Sequence, residues 1–402
     1  MVQLVGVKVK EGSLVALRYS TSKQLFAWAI ALSLSPSVAL AATLVRATAG
    51  TFQDGTKVEA ITLTDGRGIS ARILTYGARL ENLYLPDRRG VLADVVLGHD
   101  QLSDYENTRD FFGATVGRYA NRIARARFSL DGHAYVLDAN EGANLLHGGP
   151  RGFDRVNWQV ASVTGGSSAS VVLTHQSPDG DQGFPGQVDA SVEYRMDDTG
   201  DMTVIYRATT TKPTVINMSS HALFNLAGEG GPRDALGEIL TIPASAYTPL
   251  RSDLIPTGEL KPVAGTVFDF RHGRVLADGI RDGSDPQIRI GHGYDHNFVL
   301  DKGVTAKPEL VARLEDPLSG RVLEISSTEP GLQLYSGNFL AGTDVGKHGH
   351  LYRMGDGIAL EPQKFPDSPN EPGFPSARVD PGKPYLHVMT YHFTVSTSEN
   401  RP

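Results

Sequence analysis

From Val58 onward apolar and polar residues alternate with a period of two, the signature of strands that press one face onto a core and turn the other to water. Helical periodicity is nearly absent. Residues 158–163 pair with 170–175 across a turn holding Gly165 and Gly166, residues 188–196 with 202–208 across 197–201, and residues 311–316 with 321–326 across 317–320. Near the end, Tyr385, His387, Met389, Tyr391, Phe393 and Val395 alternate with Leu386, Val388, Thr390, His392 and Thr394, as a closing strand does. This pattern carries no βαβ rhythm, no linker and no blade-length repeat, which disfavours a propeller. It predicts an all-β chain built as a large antiparallel β-sandwich of two stacked sheets.

The first 41 residues break the pattern. Lys8, Lys10, Arg18 and Lys23 precede an apolar stretch from Leu25 to Leu34, and small residues follow at Ala39 and Ala41. This is the layout of a secretory signal. The apolar stretch is too short, and too soon interrupted by Ser33, Ser35 and Pro36, to span a bilayer. The expectation is a signal peptide at 1–41, cleaved near Ala41, and a single secreted or periplasmic domain at 42–402.

Composition narrows the partners. The 402 residues include 44 Gly and 23 Pro, spread along the chain as many tight turns require. The formal net charge of −7, with no basic run in the body, disfavours nucleic acid and, after signal cleavage, an anionic membrane. Zero Cys excludes disulfides, thiolate zinc sites and a cysteine nucleophile. The expected partner is a small, neutral, polar molecule; monomer and homodimer both remain open.

Four segments carry polar residues that a plain sandwich core would not need: GRYANRI (117–123), NLLHGG (144–149), SSHALFNLAG (219–228) and ALEPQKFPD (359–367). A fifth, GYDHNF (293–298), adds Asp295 and His296. In each, a donor, acceptor or cation stands beside glycine or an aromatic residue, which suits a pocket gripping a polyol. Each residue has a plainer alternative. His147 fits a turn, His221 a satisfied core histidine, Asn121 a turn former, Arg122 and Asp295 ion-pair partners, and Gln333 a cross-strand polar residue. Glu361, set in an apolar strand, is the hardest to explain structurally. His292, Asp295 and His296, or His348 and His350, lack further ligands at a metal-site spacing, so no metal is expected. The Asn217-Met218-Ser219 sequon lies in a predicted strand and is read as chance.

With these segments assembled, the chain closely resembles the aldose 1-epimerase (galactose mutarotase) family from about Phe52 to about Val395. TYGARL (75–80), SPDGDQGFPG (177–186), LIPTGEL (254–260), FDFR (268–271) and GLQLYSGNFL (331–340) add to the likeness. The resemblance implies a β-supersandwich that interconverts the anomers of free aldohexoses such as glucose and galactose, without a cofactor. It implies Glu361 as general base and His221 as general acid, and it implies that Asn121, Arg122, His147, Asp295 and Gln333 hold the sugar. The chain departs from the family's usual TNHSYFNL around His221, where Ser220, Ala222 and Leu223 replace an amide, a hydroxyl and a tyrosine.

A cyclic aldose changes anomer by opening its ring, which requires loss of the C1 hydroxyl proton and protonation of the ring oxygen. An acid and a base on opposite sides of C1 suffice, exchanging roles for reclosure. Three rivals remain at this level. A non-catalytic sugar-binding sandwich needs no matched acid and base; a glycoside hydrolase needs Asp295 and Glu361 as a spaced carboxylate pair; a hexose-6-phosphate 1-epimerase needs an added basic cluster.

Overall fold

The computed structural model describes residues 42–397, and the signal-peptide reading of 1–41 lies outside them. Its largest element is a nine-stranded antiparallel sheet. Four strands meander in sequence, Gln159–Thr164, Ser168–Ser177, Val188–Asp197 and Met202–Thr210; the next neighbour is Tyr385–Val395, followed by Arg321–Ser327, Glu309–Glu315, Ile239–Thr241 and Arg274–Val275. All three hairpins read from the alternation are present. The closing strand sits mid-sheet, between Met202–Thr210 and Arg321–Ser327, where both ladders satisfy its backbone.

The facing layer comprises two sheets instead of the expected one. The first holds Thr43–Thr51, Lys57–Thr64, Ser70–Leu74, Arg79–Pro86 and Leu92–Asp94; the second holds Leu223–Phe224, Ile358–Gln363, Gly331–Tyr335, Asp295–Leu300, Ala244–Tyr247 and Lys261–Pro262. A single bridge from Val96 to Phe224 links them. At this seam the Asp94 carboxylate accepts the backbone N–H of Leu83 and of Val96, so a side chain replaces ladder bonds and regular pairing stops.

One core joins all three sheets. Ile61, Ile73 and Leu83 from the first, Val171, Val192 and Tyr194 from the nine-stranded sheet, and Phe298, Leu332 and Leu360 from the second belong to the same buried cluster. Each such side chain contributes about 1.5–3 kcal/mol of burial, which sets the register, because a one-residue slip would turn it outward. A satellite cluster of Tyr119, Ile123, Phe128, Leu145 and Phe184 anchors the long connection before the nine-stranded sheet. The longest helices among the described residues, Leu102–Asn107 and Pro286–Gly291, span six residues each. None is long and apolar enough to cross a membrane.

Candidate active site

Three neighbouring strands make the floor of the site. Asp295–Leu300, Gly331–Tyr335 and Ile358–Gln363 turn Phe298, Leu332, Leu334, Ile358 and Leu360 into the core. The period of two then places Asp295, Gln333 and Glu361 on the opposite face. Register brings them side by side: Gln333 stands opposite Glu361, and Tyr335 opposite Asp295. Gln333 donates from Nε2 to Asp295 Oδ1 at 2.7 Å.

The segment carrying Asn121 and Arg122 reaches this face from another part of the chain. Its short strand Arg122–Ile123 pairs with Leu145–Leu146, which delivers His147 next to Asn121. Gly148 is required there, since a Cβ at this left-handed position would overlap the Gly117 carbonyl. His147 takes a left-handed φ of 48°, its N–H donates to the Asn121 carbonyl, and its Nδ1 accepts the Asn121 N–H at 3.1 Å. A ring whose Nδ1 is an acceptor carries its proton on Nε2.

Arg122 is buried between two carboxylates. It donates from Nε and Nη2 to Glu141 at 2.6 and 2.7 Å, and from Nη1 to Asp295 Oδ2 at 3.5 Å. Burial disfavours its charge, but Asp295 and Glu141 outweigh that, so the guanidinium is held more firmly ionised than usual. Burial in turn raises the Asp295 carboxyl, against the pull of Arg122.

His221 is aimed by backbone. Its N–H donates to the Ala114 carbonyl and its carbonyl accepts from Gly113, while Ser220 pairs with Thr115 in the same ladder. The three departures from the family pattern therefore leave it in place: Ala222 fills the main core, and Leu223 packs with Leu97, Tyr105, Phe112 and Tyr352. His221 Nε2 lies 3.9 Å from Glu361 Oε1. Burial draws the imidazole down to about 4 and drives the carboxyl of Glu361, 1% exposed and without a partner on Oε2, well above its ordinary range. Asp295 adds to the rise at Glu361. The His147 ring stands edge-on to His221 at 5.0 Å, and burial, with His221 and Arg122, holds it neutral.

All seven residues singled out from sequence thus converge. Six line one cleft of about 490 Å³, and Gln333 supports it from beneath through Asp295. Sequence reasoning missed Glu141, Phe111 and Tyr335. Glu141 lies only six residues before His147 and its role shows only in the grip on Arg122. Phe111 and Tyr335 place their rings 5.6 and 6.1 Å from His221. Of the other histidines in the sequence reading, His296 faces Phe268, bonds Gln287 and accepts the Asp295 backbone N–H on Nδ1, supporting the site from behind. Asn217 is fully buried, with its amide on the Ala120 and Lys364 carbonyls, so its sequon is inaccessible.

The family described as aldose 1-epimerase matches residues 59–392, across every segment just assembled. This chain belongs to the aldose 1-epimerase family. Within it, the chain is 42% identical to galactose mutarotase of Mus musculus over 82% of this chain and 92% of that one. It is 37% identical to aldose 1-epimerase of Escherichia coli K12 over 85% and 96%. Among solved structures, a GalM/aldose epimerase homologue from C. elegans aligns at 30% identity with a TM-score of 0.76, covering 84% of this chain and 99% of that one. The family's supersandwich is the architecture described above.

One further chemistry has to be tested in this epimerase-family cleft. Ligand atoms of His147, His221 and Glu361 lie within 4.8 Å of one another, close enough to suggest a metal. The tautomer argues otherwise. A ligating histidine donates its second ring N–H to an acceptor, whereas His147 Nδ1 faces an N–H donor and leaves Nε2 protonated toward the cleft. An N–H there suits a sugar oxygen, not a cation.

Proposed function

We propose that this chain interconverts the α and β anomers of free aldohexoses, with Glu361 taking the C1 hydroxyl proton and His221 supplying the proton to the ring oxygen. The observation that carries this proposal is the 3.9 Å pairing of a buried carboxyl with a buried imidazole; Glu361 acts as base from the form in which the pair's shared proton sits on His221. Such a pair holds one proton between its two members across neutrality, and its titration belongs to the pair. Ring opening needs one proton taken and one given, so the count on the protein is unchanged at every stage.

Glu361 Oε1 and His221 Nε2 stand 3.9 Å apart. That suits the substrate, because the C1 hydroxyl and the ring oxygen share a single carbon. After rotation about C1–C2, the same two groups reverse their transfers and close the ring on the other face.

Arg122, Asp295, Asn121 and the His147 Nε2–H offer fixed donors and acceptors for the remaining hydroxyls, with Gln333 holding Asp295 and the rings of Phe111 and Tyr335 offering apolar surface. A phosphorylated hexose fits less well. Arg122 is already neutralised by two carboxylates, and the cleft walls set a single further cation, Arg109, against Asp110 and Asp344. Export is part of the proposal, supported by the basic, apolar and small-residue order of residues 1–41; mass spectrometry of the native N-terminus, expected near Ala42, tests it.

The deciding experiment for the activity is polarimetry of freshly dissolved α-D-glucose and α-D-galactose. Catalytic amounts of protein should speed the approach to the equilibrium rotation without moving the endpoint. Tight sugar binding with no acceleration would make the chain a binding module, and release of new reducing ends from an oligosaccharide would make it a hydrolase.

A further inference from the structure

Behind the cleft, outside the residues assigned above, His99 is fully buried between the rings of Tyr105 and Phe112, at 4.9 and 5.3 Å. Its Nδ1 is 2.8 Å from the Val345 carbonyl, and its Nε2 is 3.1 Å from Asp110 Oδ2. Both partners are acceptors, and a neutral imidazole has only one N–H. The Thr108 hydroxyl, 3.2 Å from Nε2, is directed to Asp110 Oδ1 and the Asp104 carbonyl. The ring therefore satisfies both neighbours only as an imidazolium.

Those neighbours belong to two different walls of the cleft. Val345 ends the strand Ala341–Val345, which with Leu340 supplies one wall through Asp344; Asp110 belongs to the segment 107–111 that supplies another. The residue after Asp110 is Phe111, held at a strained φ of 56° with its ring 4.7 Å from His147 and 5.6 Å from His221. Asp110 also favours the protonated form of His221.

We infer that His99 is a positioning residue for the proposed epimerase reaction: as an imidazolium it clasps the 107–111 segment to the Ala341–Val345 strand and so holds Phe111 against His147 and His221. The inference rests on the roles proposed above for those two histidines. The other charged groups around His99 do not compete for the clasp. Lys347 is bound to Asp94 and the Val96 carbonyl, Arg79 to the Phe112 and Asp154 carbonyls, and Asp100 accepts the His348 N–H. Asp104 adds a favourable charge; the Tyr105 hydroxyl accepts the His99 backbone N–H, and the Tyr352 hydroxyl is bound to Glu229. Burial opposes the His99 charge, yet Asp110 outweighs it and lifts the imidazole above 6.5. With the folded value raised, the clasp is complete at low pH and is lost as pH rises through that value.

The test combines His99→Phe, which keeps ring bulk without either bond, and His99→Gln, which keeps one donor. Misplacing groups beside the acid should lower kcat by up to about 10²-fold with KM within a few-fold, and Gln should restore part of it. The ratio of variant to wild-type kcat should climb toward one as pH rises, because wild type then loses its own clasp; taking the ratio cancels the titration of Glu361 and His221. Nitrogen-15 NMR of the wild-type imidazole should show both ring nitrogens protonated at pH 6, whether or not the variants fold. A singly protonated His99 at that pH, or a folded His99→Phe with kcat within twofold of wild type, overturns the clasp. Absence of any mutarotation by wild type would instead refute the functional reading, while the NMR result still decides the state of His99.

Discussion

Replacing Glu361 by Gln separates a proton-transfer group from a structural one, because the two roles predict opposite signs for stability. The amide matches the carboxyl in size and keeps an oxygen toward the sugar, but it cannot accept the C1 hydroxyl proton. Positioned acid–base groups contribute ~10²- to 10⁴-fold, so kcat should fall by that factor, about 2.7–5.5 kcal/mol in the barrier, with sugar affinity within a few-fold. Stability should move the other way. Glu361 is 1% exposed, has no partner on Oε2 and has its folded pKa raised, so the folded state loses stability as pH climbs from the unfolded value near 4.5 toward the raised one. Gln carries no such penalty. The variant should therefore melt at a higher temperature than wild type at pH 7, and the gap should close as pH falls through 4.5. Stopped-flow mutarotation kinetics and thermal melts at several pH values measure both. A variant that keeps more than about a tenth of wild-type kcat removes Glu361 from the proton transfer, and one that melts lower at pH 7 refutes the burial argument.

His221→Asn should lower kcat by ~10²- to 10⁴-fold in the same assay, and the double variant with Glu361→Gln should be scarcely worse than either single one, because the two act as a unit. Arg122→Ala should raise KM far more than it lowers kcat, and should destabilise the fold by about 3–5 kcal/mol through the carboxylate left buried without its cation, read from denaturant melts. The pH profile of kcat/KM should be bell-shaped with an acid limb near pH 4, where the second proton joins the pair at His221; an acid limb near 6.5 would contradict the burial of that imidazole.

Strand alternation was enough to specify an all-β sandwich, because burying one face of a strand writes a period of two into the residues themselves. The same alternation put Asp295, Gln333 and Glu361 on the face away from Phe298, Leu334 and Leu360, so their candidacy was legible as polar residues set among apolar ones. The split of the second layer was not, since it depends on the Asp94 carboxylate taking two backbone N–H groups, one of them from Leu83, a neighbour through space. The family resemblance implied His221 and Glu361 as acid and base, but only cross-strand register and the Gly113–Ala114 backbone bonds place them 3.9 Å apart, where burial displaces their titrations in opposite directions. Glu141, Phe111 and His99 carry no local signal at all. Their significance is a matter of which carboxylate, ring or carbonyl folding brings within a few ångströms, and that distance, together with exclusion of water, decides whether a polar side chain is an ordinary surface group or part of a site.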